Sequence, residues 1–256
     1  MCPDVDAVIY RLAGIFNARA GFGVDDDTFE VLGALKRAGE ETWFQVGDRD
    51  FATHLMRTEM LSRGSSLTEA SLELCRRFGI KARVIPMSDD IVRTRFETDE
   101  GTYSFQEYFV RERLRPKLRG IDFACPRPAH ATHEVVDALR QADRVVIGPS
   151  NPLISVDPIL NLTRELMPRD RTLAVTPIVG GVALKGPTVE MMRAMGLEAS
   201  PVAVARRYAD VASCFVLDER DAALMAEVEA LGYRAIVCDT VMRDGGRALA
   251  SAVLSA

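Results

Sequence analysis

The sequence lacks paired cysteines, an excess of basic residues and any long hydrophobic run. Its five cysteines are scattered and odd in number, without a CxxC pair, which argues against a disulfide framework or a zinc site. The formal net charge of -5 argues against a nucleic-acid-binding surface. No apolar run approaches the ~20 residues of a membrane span, and nothing near Met1 resembles a signal peptide. We therefore expect a cytoplasmic protein with reduced thiols that binds neither nucleic acid nor membranes.

Helix and strand patterns alternate along the 256 residues, without internal repeats or a low-complexity linker. A capping box at residues 66–69 begins a helix that Gly79 ends, and residues 82–85 are predicted as the next strand. Alternating residues predict an antiparallel hairpin from segments 92–98 and 101–105. Later strands of the buried type are predicted at residues 144–147, 172–175, 214–217 and 235–238. We predict a single α/β domain, residues 1–256, with a three-layer Rossmann-like, mostly parallel sheet, helices on both faces and a small antiparallel hairpin insertion.

Charged residues are crowded in the segment GDRDFATHLMR, residues 47–57, where a loop becomes a helix. Asp50 can serve as the N-cap, and steps of four and three residues then place His54 and Arg57 on the same helix face. Together with Asp48, these side chains offer carboxylates, a titratable base and a cation beside a helix N-terminus that attracts phosphate. The pattern indicates a functional cluster, and the alternative is a solvated capping turn.

Several loops follow predicted strands, at the sheet edge where α/β proteins bind their ligands. Gly148, Ser150 and Asn151 suit a phosphate or a nucleotide, although a rigid turn explains the same composition. A second glycine-rich loop contains Gly180, and Lys185 beyond it offers a point charge for a phosphate. This second loop matches neither the P-loop nor the dinucleotide-binding fingerprint.

Acidic residues at two further places are candidate ligands. Asp89 and Asp90 follow a predicted strand and could bind Mg²⁺ or a substrate hydroxyl, with a helix or turn cap as the alternative. Asp4 and Asp6 open an amphipathic helix, and capping explains only one of them. The basic run at residues 111–119 is typical of a solvated face, or it attracts a phosphorylated substrate.

Seven segments, in order over nearly the whole chain, resemble those of one family. They are PDVD (3–6), GDRD with ATH (47–54), PMSDD (86–90), FQEYF (105–109), GPSNP (148–152), TPIVGG (176–181) and DTVMR (239–243). The family is that of the 2-phospho-L-lactate transferases of coenzyme F420 biosynthesis, also known in bacteria as phosphoenolpyruvate transferases.

The resemblance implies transfer of a phospholactyl or phosphoenolpyruvyl group from a guanosine-diphosphate-activated donor to a hydroxyl of the deazaflavin Fo. GMP leaves, Mg²⁺ assists, and the enzyme is expected to be a homodimer. The residues expected to be catalytic are Asp48, Asp50, His54 and Arg57. Those expected to bind substrates are Asp6, Gln45, Gly148, Ser150, Asn151, Gly180 and Lys185, and those expected to bind the metal are Asp89 and Asp90.

The sequence departs from the family pattern in two places. Members normally begin with a strand, a GGxGG-type loop, a helix and a second strand with an acidic end, a unit of roughly 30–40 residues that is missing here. We expect that the natural protein starts further upstream, with a degenerate copy as the alternative. Members also pair the aspartate that matches Asp6 with a basic residue where this chain has Gln45, and the lost charge is expected to weaken or alter acceptor binding.

Two other functions stay open beside the transferase. One is a non-catalytic, nucleotide-binding regulator of the related gluconeogenesis-factor type, and the other is an inactive truncated copy. The GDRD and FQEYF segments favour the enzyme over the regulator.

Overall fold

The computed structural model describes residues 2–256, which form two compact units. The first unit contains residues 2–92, 105–115 and 125–135, and the second contains residues 93–104, 116–124 and 136–256. The organisation as a single domain stays a prediction. Within residues 2–256, no helix is both long enough and apolar enough to cross a lipid bilayer.

The first unit is helical. Its α-helices are α1 (Pro3–Leu12), α2 (Glu30–Arg37), α3 (Asp48–Ser62) and α4 (Leu67–Arg77). The predicted capping box of α4 is confirmed, because the Ser66 hydroxyl accepts from the Glu69 N–H and the Glu69 carboxylate accepts from the Ser66 N–H. Gly79, with a φ of 70°, follows the end of α4 as predicted.

Apolar residues at helical spacing hold these helices together. Ile9 and Tyr10 of α1 and Leu74 and Cys75 of α4 form one buried cluster with Val24. Each fully buried aliphatic side chain of this kind contributes about 1.5–3 kcal/mol of transfer free energy. The packing therefore fixes α1 in the unit and with it the polar residues that α1 carries.

Residues 82–85 do not form the predicted strand. Strand geometry needs a neighbouring strand to accept and donate the ladder hydrogen bonds, and none of the sheets among the described residues includes this segment. The β-branched residues Val84 and Ile85 were therefore insufficient to predict a strand here.

The second unit contains two main sheets. The first is antiparallel with the order β2-β1-β3, from β1 (Arg93–Thr98), β2 (Thr102–Ser104) and β3 (Leu118–Ala124). The pairing of β1 with β2 confirms the predicted hairpin, whereas β3 was not predicted. The basic run at residues 111–119 begins at the end of a π-helical turn, Glu107–Arg111, in the first unit and ends in β3, and its arginine and lysine residues are exposed, as expected of a solvated face. Arg111 at the end of that turn lies over the ring of Trp43, 5.7 Å from its centroid.

The second sheet is parallel, has four strands and follows the chain order. Its strands are β4 (Val145–Ile147), β5 (Thr172–Val175), β8 (Cys214–Asp218) and β9 (Arg234–Cys238). All four residues of β5 are buried, as expected of a central strand covered on both faces. A short hairpin, β6 (Ile178–Val179) with β7 (Val182–Ala183), follows β5.

Helices flank this parallel sheet. They are α6 (Asp157–Thr163), α7 (Thr188–Ala194), α8 (Pro201–Tyr208), α9 (Met225–Glu229) and α10 (Arg247–Ser255), while α5 (His133–Gln141) is divided between the two units. Leu249 and Val253 of α10 pack on Leu173 and Val175 of β5 and on Val216 of β8. The predicted α/β fold with a mostly parallel sheet and a small antiparallel insertion is confirmed.

Candidate functional site

Five polar side chains meet between two helices of the first unit. Asp6 and Tyr10, four residues apart, lie on one face of α1, and Asp50, His54 and Arg57 lie on one face of α3. We call these five residues the polar cluster. It brings together Asp6 and three of the predicted catalytic residues, and it adds Tyr10, which the sequence interpretation missed.

Hydrogen bonds and ion pairs connect the cluster from one end to the other. The Tyr10 hydroxyl donates to Asp50 Oδ1 at 2.8 Å, and His54 Nε2 lies 3.2 Å from the same oxygen. His54 Nδ1 lies 3.7 Å from Asp6 Oδ2. Arg57 donates to Asp6 through both terminal nitrogens, one of them 3.0 Å from Oδ2.

The hydrogen-bond donors around His54 define its tautomer. Arg57 Nη1 lies 3.4 Å from His54 Nδ1, and a guanidinium can only donate. His54 Nδ1 is therefore the acceptor of this contact, and the ring proton is on Nε2, from which it is donated to Asp50. His54 thus holds the Asp50 carboxylate in place through its Nε2–H.

Exposure divides the cluster into two parts. The side chains of Asp6 and Arg57 each retain only 4% of their surface, whereas Asp50 retains 18% and His54 retains 13%. A bound molecule can therefore reach Asp50 and His54 but not the Asp6–Arg57 pair. The buried pair supports the helix face, and the two more exposed residues can take part in chemistry.

Burial and hydrogen bonding act in opposite directions on the pKa values of Asp6 and Asp50. Burial raises the pKa of Asp6, although the Arg57 guanidinium opposes the shift. Burial also acts to raise the pKa of Asp50, but hydrogen bonds from His54 and Tyr10 outweigh it and hold this pKa below its usual value. Asp50 is consequently a carboxylate at neutral pH, with its Oδ1 atom occupied by two donors.

Ligand atoms of Asp6, Asp50 and His54 lie within 4.8 Å of one another, a spacing that can hold a metal ion. The Arg57 guanidinium, however, already occupies both oxygens of Asp6. A second cation at this point would be repelled, and a histidine nitrogen is a poor ligand for Mg²⁺. The cluster therefore does not fit Mg²⁺.

The prediction that Asp50 caps its helix is wrong. Helix α3 begins at Asp48, and the free N–H groups of its first turn are satisfied by Asp27, whose carboxylate accepts from Arg49 N at 2.8 Å and from Asp50 N at 3.2 Å. Because Asp27 caps the helix, the Asp50 side chain is available to Tyr10 and His54.

Asp48 caps a different helix. Its carboxylate accepts from the Thr28 hydroxyl at 2.6 Å and from the N–H groups of Glu30 and Val31, both at 3.0 Å, in the first turn of α2. We call this reciprocal arrangement, in which Asp27 caps α3 and Asp48 caps α2, the double cap. These contacts make Asp48 a capping residue of α2, and it does not join the polar cluster.

Asp89 and Asp90 are exposed and make hydrogen bonds with backbone N–H groups. Asp89 Oδ1 accepts from Thr68 N at 2.7 Å, in the first turn of α4, and Asp90 Oδ2 accepts from His130 N at 3.0 Å. These contacts agree with the capping alternative. Asp89 Oδ2 and Asp90 Oδ1 take no part in these two bonds, so the two carboxylates still fit a partly hydrated Mg²⁺. Metal binding by Asp89 and Asp90 stays a prediction.

The loop after β4 carries three of the predicted substrate-binding residues. Gly148 and Ser150 are exposed, and a Cβ built on Gly148 would meet open space. The Asn151 side chain accepts from Leu153 N at 2.9 Å and caps the π-helical turn Pro152–Val156. Gly148 and Ser150 therefore face solvent at a strand end, while Asn151 fixes the direction of the chain that follows.

The second glycine-rich loop forms a tight turn. Gly180 and Gly181, with φ values of 58° and 78°, connect β6 to β7, and Gly180 N donates to Asp221 Oδ2 at 2.8 Å. Lys185 is exposed beyond β7, and Gln45 is exposed two residues before Gly47 in the first unit. The roles of these residues in substrate binding stay predictions.

A further acidic residue, Asp218, was not singled out from the sequence. It lies buried at the end of β8, where its Oδ2 atom accepts from Thr240 N at 3.0 Å and from the Thr240 hydroxyl at 2.9 Å. An aspartate at the carboxyl end of a predicted parallel strand was the available signal. The contact ties the end of β8 to the chain that follows β9.

Comparisons with known proteins agree with this architecture. The family model described as 2-phospho-L-lactate transferase CofD matches residues 1–254. A 2-phospho-L-lactate transferase of Methanosarcina mazei is 39% identical over 242 residues, which cover 94% of this chain and 80% of that protein. The transferase of the same name from Methanopyrus kandleri is 38% identical over 248 residues, covering 94% of this chain and 79% of its own length. The crystal structure of protein BH3568 from Bacillus halodurans matches 92% of this chain and 78% of that chain with a TM-score of 0.50 at 14% identity, which shows likeness of fold alone.

Proposed function

Because this chain belongs to the CofD family of 2-phospho-L-lactate transferases, we propose that it transfers a phospholactyl or phosphoenolpyruvyl group from a guanosine-diphosphate-activated donor to the deazaflavin Fo. Membership of the family makes the chain a transferase with a small-molecule substrate. The nucleotide donor, the acceptor Fo, the release of GMP and a place in coenzyme F420 biosynthesis are the proposal. A homodimer and a cytoplasmic location belong to it as well.

The observation that carries the proposal is the Asp50 carboxylate. It is held as an anion by two donors on Oδ1, and it is the most exposed acid of the polar cluster. A Cβ built on Gly23 would lie 4.0 Å from Asp50 Oδ2, so glycine at this position leaves the oxygen without a contacting side chain from residue 23. Such a carboxylate can accept the proton of an attacking hydroxyl group.

The transfer step follows from this arrangement. The acceptor hydroxyl oxygen forms a bond to the phosphorus that carries the three-carbon acid, and the bond from that phosphorus to the GMP oxygen breaks. GMP leaves with the bonding electron pair, and the hydroxyl proton passes to Asp50 Oδ2 and from there to solvent. His54 orients Asp50 through its Nε2–H, and the Arg57–Asp6 pair fixes the helix face on which both residues lie.

The donor is proposed to bind in the second unit. Phosphoryl transfer depends mainly on positioning and on neutralising charge, for which backbone N–H groups and cations are suited. Gly148, the Ser150 hydroxyl and the Lys185 ammonium group are exposed and are available for this purpose, whereas the Gly180 N–H is already donated to Asp221. Asp89 and Asp90 would hold Mg²⁺, which would supply positive charge for phosphoryl transfer.

The test is a transfer assay on the 256-residue chain with Fo, activated donor and Mg²⁺, read by product mass. We expect a product heavier than Fo by the phosphorylated three-carbon acid, together with one GMP per turnover. Asp50→Asn should lower kcat by roughly two to four orders of magnitude because a general base is lost. The matched control is Asp137→Asn, an exposed position on α5, which should retain the wild-type rate.

Two results would contradict the proposal. Nucleotide binding without any product from the folded wild-type chain would favour the non-catalytic regulator. Equal loss of activity and of folding in Asp50→Asn would make Asp50 a structural residue.

A further inference from the structure

We infer that Tyr10 is a positioning residue for the transfer reaction and acts through Asp50. The inference rests on the proposed function, in which Asp50 receives the proton of the acceptor hydroxyl. Tyr10 lies on α1, 40 residues away from Asp50 in the sequence, and neither charge patterns nor motifs singled it out.

The contact selects one oxygen of the Asp50 carboxylate. Tyr10 donates to Oδ1 at 2.8 Å, and His54 Nε2 approaches the same atom at 3.2 Å. A carboxylate with two donors on one oxygen cannot rotate about its Cβ–Cγ bond without losing both contacts. Tyr10 therefore keeps Oδ2, the oxygen beside Gly23, free of these two donors and in a fixed direction.

The tyrosine ring is held rigidly enough for this purpose. Tyr10 is 1% exposed and belongs to the buried cluster with Ile9, Val24 and Leu74. Its ring packs edge-on against Phe78, with centroids 6.2 Å apart and an interplanar angle of 80°. The hydroxyl thus has one position, set by apolar packing from α1 and from the end of α4.

Tyr10 acts as a hydrogen-bond donor and not as a base. Burial raises the pKa of its hydroxyl, so the proton stays on the oxygen at neutral pH. The charged and titratable groups that surround Asp50 are Asp6 and Tyr10 from α1, His54 and Arg57 from α3, and Asp27 from the preceding loop. Of these, Tyr10 and His54 make the side-chain hydrogen bonds to Asp50 that hold it in its ionised form.

The test compares Tyr10→Phe with two matched tyrosine variants. Tyr233→Phe removes a buried hydroxyl that donates to Ala205 O at 2.7 Å, and Tyr208→Phe removes a buried hydroxyl that has no partner among the described residues. For each variant we would measure kcat, the KM of both substrates, the pH dependence of kcat/KM, and chemical denaturation.

We expect Tyr10→Phe to lower kcat on the order of tenfold while the KM for the nucleotide donor changes little. The acid limb of its pH profile should move to higher pH, because Asp50 loses a donor that stabilises its ionised form. Tyr233→Phe should lose stability but retain kcat and the wild-type pH profile. Tyr208→Phe should retain the wild-type stability, kcat and pH profile.

An unchanged acid limb in Tyr10→Phe, with activity lost only in proportion to folding, would overturn the inference and leave Tyr10 a core residue. Carboxyl NMR titration of Asp50 supplies a readout that needs no turnover, and an Asp50 pKa equal in wild type and Tyr10→Phe would also overturn it. Failure of the proposed function would look different, since the wild-type chain itself would then form no product.

Discussion

Asp6 and Arg57 form an ion pair from which water is almost entirely removed. Taking both charges out of water costs several kcal/mol, and their attraction with good hydrogen bonds offsets this cost only while both partners are present. Arg57 also has a buried Nε atom without a partner in residues 2–256, so its bonds to Asp6 carry nearly all of the compensation. Such a pair is sensitive to the loss of either member.

Arg57→Met is therefore expected to destabilise the protein by about 3–5 kcal/mol, because it leaves the Asp6 carboxylate buried and unpaired. Chemical denaturation at pH 7 measures the effect. The double variant Asp6→Leu, Arg57→Met removes both charges, and it should recover much of the lost stability. A double variant as unstable as the sum of the two single variants would show that the pair is not coupled.

Local spacing explains how much of this site could be predicted. Asp50, His54 and Arg57 belong to one helix, so the 3.6-residue period alone placed them on one face. The partners of these residues are remote in sequence: Tyr10 lies 40 residues from Asp50, and Asp27 lies 23 residues from it. The N-cap assignment of Asp50 was wrong because the carboxylate that caps α3 comes from elsewhere in the chain.

At the scale of elements, the double cap ties α2 to α3 through their N-termini. The approach of Asp27 to α3 depends on the absence of a side chain at Gly47. A Cβ built on Gly47 would lie 2.9 Å from Asp27 Cβ and closer still to its carboxylate. The φ of Gly47 is -75°, which any residue can adopt, so the requirement for glycine is steric.

Gly47→Ala is expected to displace Asp27 and to lower the free energy of unfolding by about 0.5–2 kcal/mol, the range for loss of an N-cap. Denaturant unfolding of the wild type and of Gly47→Ala would measure this difference in the free energy of unfolding. Gly33→Ala, in the interior of α2, is the matched control, because its added Cβ would approach only the flexible tip of Arg37, at 3.5 Å. This control should gain up to about 1 kcal/mol from better helix propensity. A Gly47→Ala protein as stable as the wild type would show that the cap tolerates a side chain.

Helices and strands also differ in how far their formation depends on residues remote in the sequence. The helix α4 was predicted with its start and end because the capping box and Gly79 are local signals. Residues 82–85 were wrongly predicted as a strand, and β3 was missed. Both errors arise because a strand forms only where a partner strand pairs with it. The partner of β3 is β1, about 25 residues earlier, a pairing that periodicity does not reveal.

At the scale of the whole molecule, alternating helix and strand patterns were enough to predict the fold class. Parallel strands need crossover connections, which usually contain a helix, and the parallel sheet β4-β5-β8-β9 agrees with that alternation. The sites of the two units were harder to predict, since loops at strand ends have little periodicity. Asp218 illustrates this, because its partner Thr240 lies beyond the next strand of the sheet.

The stability of the molecule should fall in acid. Burial acts to raise the pKa of Asp218, but hydrogen bonds from Thr240 and Arg220 outweigh it and lower this pKa below its ordinary value of 3.8. A lowered carboxyl pKa contributes stability that is present above the unfolded value and is lost as the pH falls through the folded value. Asp50 acts in the same direction, whereas the raised pKa of Asp6 opposes it.

We expect the free energy of unfolding to decrease between pH 5 and pH 2, and Asp218→Asn to show a shallower decrease, because this variant no longer takes up the proton. Urea denaturation at successive pH values measures both slopes. Parallel curves for the wild type and the variant would show that Asp218 does not contribute to the acid dependence.

The double cap has a consequence for engineering as well as for stability. Because Asp48 N donates to Thr28 O at 2.8 Å, the two ends of the segment between them lie side by side within the first unit. The segment between them is a closed excursion that exposes Gly39 and Glu40 at the end of α2. Loops with adjacent ends tolerate added length at a small entropic cost, so a peptide tag inserted at Gly39 would leave Asp50 where it is. The excursion is thus a natural attachment point that contains none of the five residues of the polar cluster.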